Sequence, residues 1–265
     1  MVVDAKPNFG KIRFKGKLRP SQVDSSTIVT EQLNKEDKNL LIVAPPGSGK
    51  TVLGLYIWSD LVRLPALVLS PNSAIQAQWI ARAKELFELD GKDQNIGTSS
   101  KKDSLLTSLT YQSLTLPKKN DHNLDDAAMA IWIEKLISDG EASNHEIAKA
   151  WISDLQEHNL QYYKERLGIY RKRVRDDYAS KGNALWILHD SAKEKLELLR
   201  ESEIGLIILD ECHHLLGHWG RILSDIREYF GNPIVLGLTA TPPNLDGINL
   251  ADLQRYQEFF GEIDY

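Results

Sequence analysis

The run Asn39–Thr51, NLLIVAPPGSGKT, constrains the fold more than any other stretch of the chain. Its unbroken apolar start suits a strand buried on both faces. The run stops at Pro45-Pro46-Gly47, and a helical pattern follows from about Gly49 to Val62. Strand, glycine-rich turn and helix in that order match the phosphate-binding loop pattern, with Ala44 in place of its first glycine. Gly47 and Gly49 permit a turn tight enough for backbone N–H groups to converge on phosphate oxygens, and the positive end of the following helix adds to the attraction. In that reading Lys50 reaches the β- and γ-phosphates and the Thr51 hydroxyl holds Mg²⁺.

Three more short apolar runs end in polar residues: Ala66–Ser70, Ile204–Leu209 and Ile234–Leu238. Helical patterns lie between them, among them Ser73–Leu89. Buried strands alternating with helices predict an α/β fold with a mostly parallel sheet flanked by helices. The texture changes between Leu116 and Ser202. A loop at Pro117–Asp121 leads into charged helical stretches at Leu124–Ser138, His145–Tyr178 and Ala184–Glu201, with Trp132, Trp151 and Trp186 at helical spacing. Residues 117–202 therefore read as a helical insertion in a discontinuous domain, 18–116 and 203–265. The insertion carries a basic cluster of Lys164, Arg166, Arg171, Lys172, Arg173 and Arg175, which reads first as a solvated face and second as a phosphate-backbone contact. Residues 1–17, with Lys6, Lys11, Arg13, Lys15 and Lys17, read as a solvated lead-in.

Composition narrows the function classes. Apolar residues make up 42% and charged residues 26% of 265, with a net charge of −5, which excludes a disordered chain and a uniformly basic nucleic-acid coat. The one cysteine, Cys212, leaves no intrachain disulfide and fits a reducing, cytoplasmic setting. The apolar runs are far too short to cross a bilayer, and the N-terminus lacks a signal-peptide pattern.

A second chemical signal is Leu206–His214, LIILDECHH. Adjacent carboxylates at a strand end point to opposite sides of the backbone and can take separate jobs. Asp210 can hold Mg²⁺, and Glu211 can polarise an attacking water as general base. His213 and His214 lack a second ligand pair at zinc spacing, and Cys212 has no catalytic dyad.

Taken together, these segments resemble superfamily 2 DExH-box helicases and translocases, in the branch of the excision-repair helicases and restriction motors. Asp210-Glu211-Cys212-His213 is similar to the DExH box. Leu18–Gln22 resembles the adenine-recognition motif, which gives Arg19 and Gln22 a nucleotide-binding role beside Pro46, Gly47, Ser48, Gly49, Lys50 and Thr51. Leu69–Asn72, with Gln76 and Trp79, resembles motif Ia, and Leu109–Ser113 the TYQ-type segment. These imply nucleic-acid contacts at Ser70, Pro71, Asn72, Tyr111 and Gln112. Gly237–Pro242 resembles motif III, implying that Thr239 and Thr241, with His213 and His214, couple the nucleotide site to the polymer.

The resemblance implies the first RecA-like P-loop domain of an ATP- and Mg²⁺-dependent motor on nucleic acid, DNA rather than RNA. A second RecA-like domain, whose motifs do not follow Pro243, is expected in the full-length protein. In many relatives a basic residue stands where this chain has Pro243-Asn244. The competing reading is an ATP-driven switch that binds a protein partner through the insertion. A small-molecule kinase is disfavoured, because no arginine-bearing lid is recognisable.

Overall fold

A computed structural model describes residues 9–116, 122–181, 184–215, 218–241 and 250–260. In chain order the elements are β1 (Arg13–Phe14), α1 (Pro20–Asn34), β2 (Asn39–Val43), α2 (Lys50–Tyr56), β3 (Ala66–Ser70), α3 (Ser73–Leu86), β4 (Phe87–Glu88), β5 (Ile96–Gly97), β6 (Leu106–Thr110) and α4 (Tyr111–Thr115). Then follow α5 (His122–Ser138), α6 (His145–His158), α7 (Leu160–Ser180), α8 (Asp190–Glu201), β7 (Leu206–Asp210), α9 (His218–Tyr229), β8 (Ile234–Thr239) and α10 (Leu250–Phe260). The contacts divide the chain into two compact units, Met1–Leu116 with Asp190–Tyr265, and Pro117–His189.

The first unit is built on a parallel sheet, ordered β2-β8-β7-β3-β6-β5 among the described residues. This is the α/β architecture that the alternating runs predict, a RecA-like sheet flanked by helices. β3, β7 and β8 are buried along their whole length, as strands covered by helices on both faces must be. β6, Leu106–Thr110, is equally buried at its first four positions although it contains Thr107 and Ser108. β2 pairs with β8 from Asn39↔Val235 to Val43↔Thr239, and β7 with β8 from Leu206↔Ile234 to Asp210↔Leu238. The phosphate-loop strand and the carboxylate strand thus flank β8, and their C-terminal ends open on the same edge of the sheet.

Some local expectations change. Residues 9–14 are only partly solvated: Lys11 and Arg13 are exposed, but Phe9 and Ile12 are fully buried, and β1 pairs antiparallel with β4. Phe9 packs edge-on against Trp58, and the Arg63 guanidinium donates to the Gly10 and Ile12 carbonyls. The basic residues between these apolar ones masked their spacing. α2 runs on as a π-helix through Ile57–Val62, and α3 stops at Leu86, three residues short of the predicted end. The stretch His145–Tyr178 breaks at Asn159, which ends α6; its side-chain Oδ1 accepts from Tyr162 N in the first turn of α7. Asparagine competes with helical hydrogen bonds in this way, and so favours helix ends.

The second unit gathers α5, α6 and α7 around Leu124, Trp132, Leu136, Ile152, Leu167 and Tyr170. It ends at His189, so α8 falls outside it, whereas the sequence reading carries the insertion to residue 202. α8 packs against α4 in the first unit, and Lys195 Nζ donates to the Ser113 carbonyl. Its amphipathic pattern does not say which core it covers.

Candidate functional site

The β2–β8 ladder continues one residue past β2, where Ala44 N donates to the Thr239 carbonyl at 2.9 Å. The chain then turns, and Gly49 at φ +86° starts α2. A Cβ at Gly49 would stand 2.6 Å from Gln22 Nε2. That amide explains the closeness: it donates to the Ser48 and Gly49 carbonyls at 3.3 and 3.1 Å, while its Oε1 accepts from Arg19 N. Arg19 donates to the Gly47 carbonyl at 3.0 Å. The start of α1 therefore braces the phosphate loop as well as facing the cavity beside it, of about 240 Å³, between Gln22, Ser25, Val43, Pro45 and Lys50. Lys50 Nζ donates to the Ala44 carbonyl at 3.1 Å, and Thr51 is half-buried in the first turn of α2. Ser48 Oγ is buried with no hydrogen-bond partner among the described residues. A glycine-bounded loop, an unsatisfied hydroxyl and a lysine at a helix start fit a polyphosphate.

Gly49→Ala tests the loop. Left-handed backbone costs an L-residue about 1–2 kcal/mol, and the methyl would also displace the Gln22 amide. Urea unfolding should show that loss, and titration with a fluorescent nucleotide should show weakened binding. Parental values for both would contradict the loop's tight geometry.

Asp210 ends β7 and is 6% exposed. Trp79 Nε1 donates to its Oδ2 at 2.7 Å, and the Tyr111 hydroxyl donates to its backbone carbonyl at 2.9 Å. Burial raises the Asp210 pKa, against the opposing pull of the Trp79 hydrogen bond and of the nearby Lys50 charge. Glu211 follows at φ +53°, with Oε2 3.4 Å from His213 Nδ1. That nitrogen is also 2.8 Å from Thr239 Oγ1. Thr239 has a single hydroxyl proton, which it donates to the Thr241 carbonyl at 2.8 Å, while Thr241 N donates back to its oxygen. Toward His213 the hydroxyl is therefore an acceptor, and Nδ1 carries the proton. The general-base candidate and the end of β8 are joined through one imidazole.

A family profile described as the type III restriction enzyme, res subunit, matches residues 15–244. The chain belongs to this family. No curated protein matches it in a sequence comparison. As a type III restriction res-subunit domain it is a superfamily 2 helicase-like ATPase domain, and ATP, usually with Mg²⁺, is the nucleotide such domains use. None of its described helices is long and apolar enough to cross a membrane.

Within this res-subunit domain the remaining expected residues separate. Pro71 is half-buried, and Asn72 and Gln112 are exposed; Asn72 Oδ1 caps α3 through Ile75 N. Ser70 and Tyr111 are fully buried, so neither side chain stands in solvent as Asn72 and Gln112 do. Ser70 is the last residue of the central strand β3, and the Tyr111 hydroxyl donates to the Asp210 carbonyl. The His214 side chain and residues 242–249, including Pro243-Asn244, lie outside the described residues. Sequence reasoning missed Trp79 as a partner of Asp210. The one available signal was that a buried indole N–H usually finds an acceptor.

Burial also pushes the Cys212 thiol from an ordinary 9.0 up to about 12. At pH 8 this lowers the reactive thiolate population about a thousandfold. Iodoacetamide labelling followed by mass spectrometry should show that slow rate in the folded chain and an ordinary one in denaturant. Fast native labelling would place Cys212 at the surface. In the helical unit Lys164, Arg166, Lys172 and Arg173 of the basic cluster are exposed, and three of its six residues have identified contacts among the described residues. Arg171 is bidentate on Asp125, Arg166 and Arg173 lie over Tyr162 and Tyr170, and Arg175 is half-buried.

Proposed function

We propose that this chain is the nucleotide-hydrolysing domain of a translocase that moves along DNA, close to the excision-repair and restriction motors, and works in the cytoplasm. The observation that carries the reading is the meeting of Gly47–Thr51, Asp210-Glu211 and Thr239 at one edge of the sheet, on the neighbouring strands β2, β8 and β7. The loop amides and Lys50 bind the phosphates. Gln22 and Arg19 brace the loop beside the cavity that takes the base. Thr51 and Asp210 would hold Mg²⁺, which when bound withdraws charge from the phosphate oxygens. Glu211 accepts the proton of the attacking water, with His213 setting its orientation. Thr239 and Thr241 link that imidazole to the end of β8, and exposed Asn72 and Gln112, with Pro71 beside them, contact the DNA backbone. A second RecA-like domain elsewhere in the protein supplies an arginine, worth about 10³–10⁵ in rate, so this domain alone turns over slowly.

The test is steady-state ATPase of the full-length protein with single-stranded DNA, duplex DNA or RNA, using Lys50→Ala as the blank. DNA stimulation that disappears in Lys50→Ala supports the reading. ATP binding with no stimulation by any polymer would overturn it and favour a switch acting through the helical unit. Stimulation by RNA alone would correct the polymer.

A further inference from the structure

Asp210 is held from two sides by aromatic donors on neighbouring elements. Trp79 projects from α3 and is fully buried, with its indole N–H on the carboxylate itself. Its seat depends on Gly54, where a Cβ would stand 2.7 Å from the indole Cη2 and 3.0 Å from Leu238. Tyr111 is the first residue of α4, also fully buried, with its hydroxyl on the Asp210 carbonyl.

α3 and α4 are tied together through β6. Gln76 Nε2 donates to the Ser108 carbonyl at 2.7 Å, and Ser108 Oγ donates back to the Gln76 carbonyl at 3.0 Å. β6 ends at Thr110, whose Oγ1 caps α4 by accepting from Ser113 N. The same hydrogen-bonded block leaves Asn72 and Gln112 in solvent. A core tryptophan needs only some acceptor for its N–H, and backbone carbonyls serve that purpose without burying a charge. Burying an ionisable carboxylate is costly unless it is hydrogen-bonded, so a carboxylate as the acceptor at this position points to the site rather than to the core.

We propose that Trp79 and Tyr111 are positioning residues that fix Asp210 and join its metal-holding end to the surface segments around Asn72 and Gln112. This rests on the reading of Asp210 as a Mg²⁺ carboxylate. Partners of this kind, one shell behind a metal ligand, typically change metal affinity or activity 10–100-fold when removed. Trp79 acts on the carboxylate oxygen directly and Tyr111 only on the backbone behind it, so Trp79 should have the larger effect.

The experiment compares Trp79→Phe, Tyr111→Phe and Asp210→Asn in the full chain. Binding of a fluorescent ATP analogue is followed in EDTA and across a Mg²⁺ titration, with melting curves and DNA affinity as controls. DNA-stimulated and basal ATPase are then compared. The expected result for Trp79→Phe is unchanged nucleotide binding in EDTA, a Mg²⁺ midpoint raised about 10–100-fold, parental DNA affinity and a reduced ratio of stimulated to basal turnover. A folded Trp79→Phe with the parental Mg²⁺ midpoint overturns the proposal, provided that Asp210→Asn shifts it. A parental midpoint in Asp210→Asn overturns the metal reading itself. If Trp79→Phe fails to fold, Tyr111→Phe, which removes one oxygen, decides: a raised midpoint supports the proposal and a parental one overturns it.

Discussion

Glu211→Gln is expected to slow ATP turnover about 10²–10⁴-fold, the usual contribution of a general base, with nucleotide binding retained. Glutamine keeps the volume and one carbonyl oxygen of the side chain, so the turn after β7 and the loop before α2 should be undisturbed. It cannot accept a proton from water at neutral pH. His213 would keep its hydrogen bond to Thr239, and the retained side-chain oxygen at 211 can still face its Nδ1. Single-turnover hydrolysis, together with equilibrium binding of ATP, separates the two effects. Loss of binding in proportion to rate would mean that Glu211 shapes the pocket. Near-parental turnover would require the water to be activated elsewhere.

Trp132→Ala should produce the largest stability change in the helical unit, about 3–5 kcal/mol. Trp132 is almost fully buried, stacked on Tyr170 at a centroid distance of 5.6 Å, tilted against Tyr163 at 6.0 Å and edge-on to Trp151 at 6.3 Å. Removing it strips three aromatic contacts from one small core and leaves a cavity between α5 and α7. Hydrogen exchange of amides in α5, α6 and α7 reads that loss locally. Trp132→Phe, which keeps a ring in place, should cost less. Unchanged protection in Trp132→Ala would show that these helices draw their stability from elsewhere.

The sheet was legible wherever burial imposed an unbroken apolar run. NLLIV, ALVLS, LIILD and IVLGLT each became a strand. The last three are covered on both faces, where little but apolar residues is admitted. β2 instead buries Leu40 and Ile42 and leaves Val43 exposed, which corrects its reading as a strand buried on both faces. β6 was not legible, since in Leu106–Thr110 two hydroxyl residues separate the leucines, a spacing that matches neither an unbroken apolar run nor the alternation of a half-exposed strand. The loop and the carboxylate pair were legible because their chemistry depends on residues adjacent in sequence. The Trp79–Asp210 bond joins residues 131 positions apart, and no local pattern encodes such a contact. Tyr111 shows the complementary limit: the motif located the segment, while the direction of its side chain depended on how α4 enters behind β7.

Glu211 occupies left-handed backbone, at φ +53°, where a side chain bearing a Cβ is strained by about 1–2 kcal/mol. Glycine would relieve that strain but would remove the carboxylate with it. On the proposal that Glu211 is the general base, selection for folding and selection for turnover pull this position in opposite directions, and the domain is held below the stability its backbone could reach. A stability-only screen of this chain should enrich glycine at 211 among its gains, and on the same proposal each such variant should hydrolyse ATP poorly.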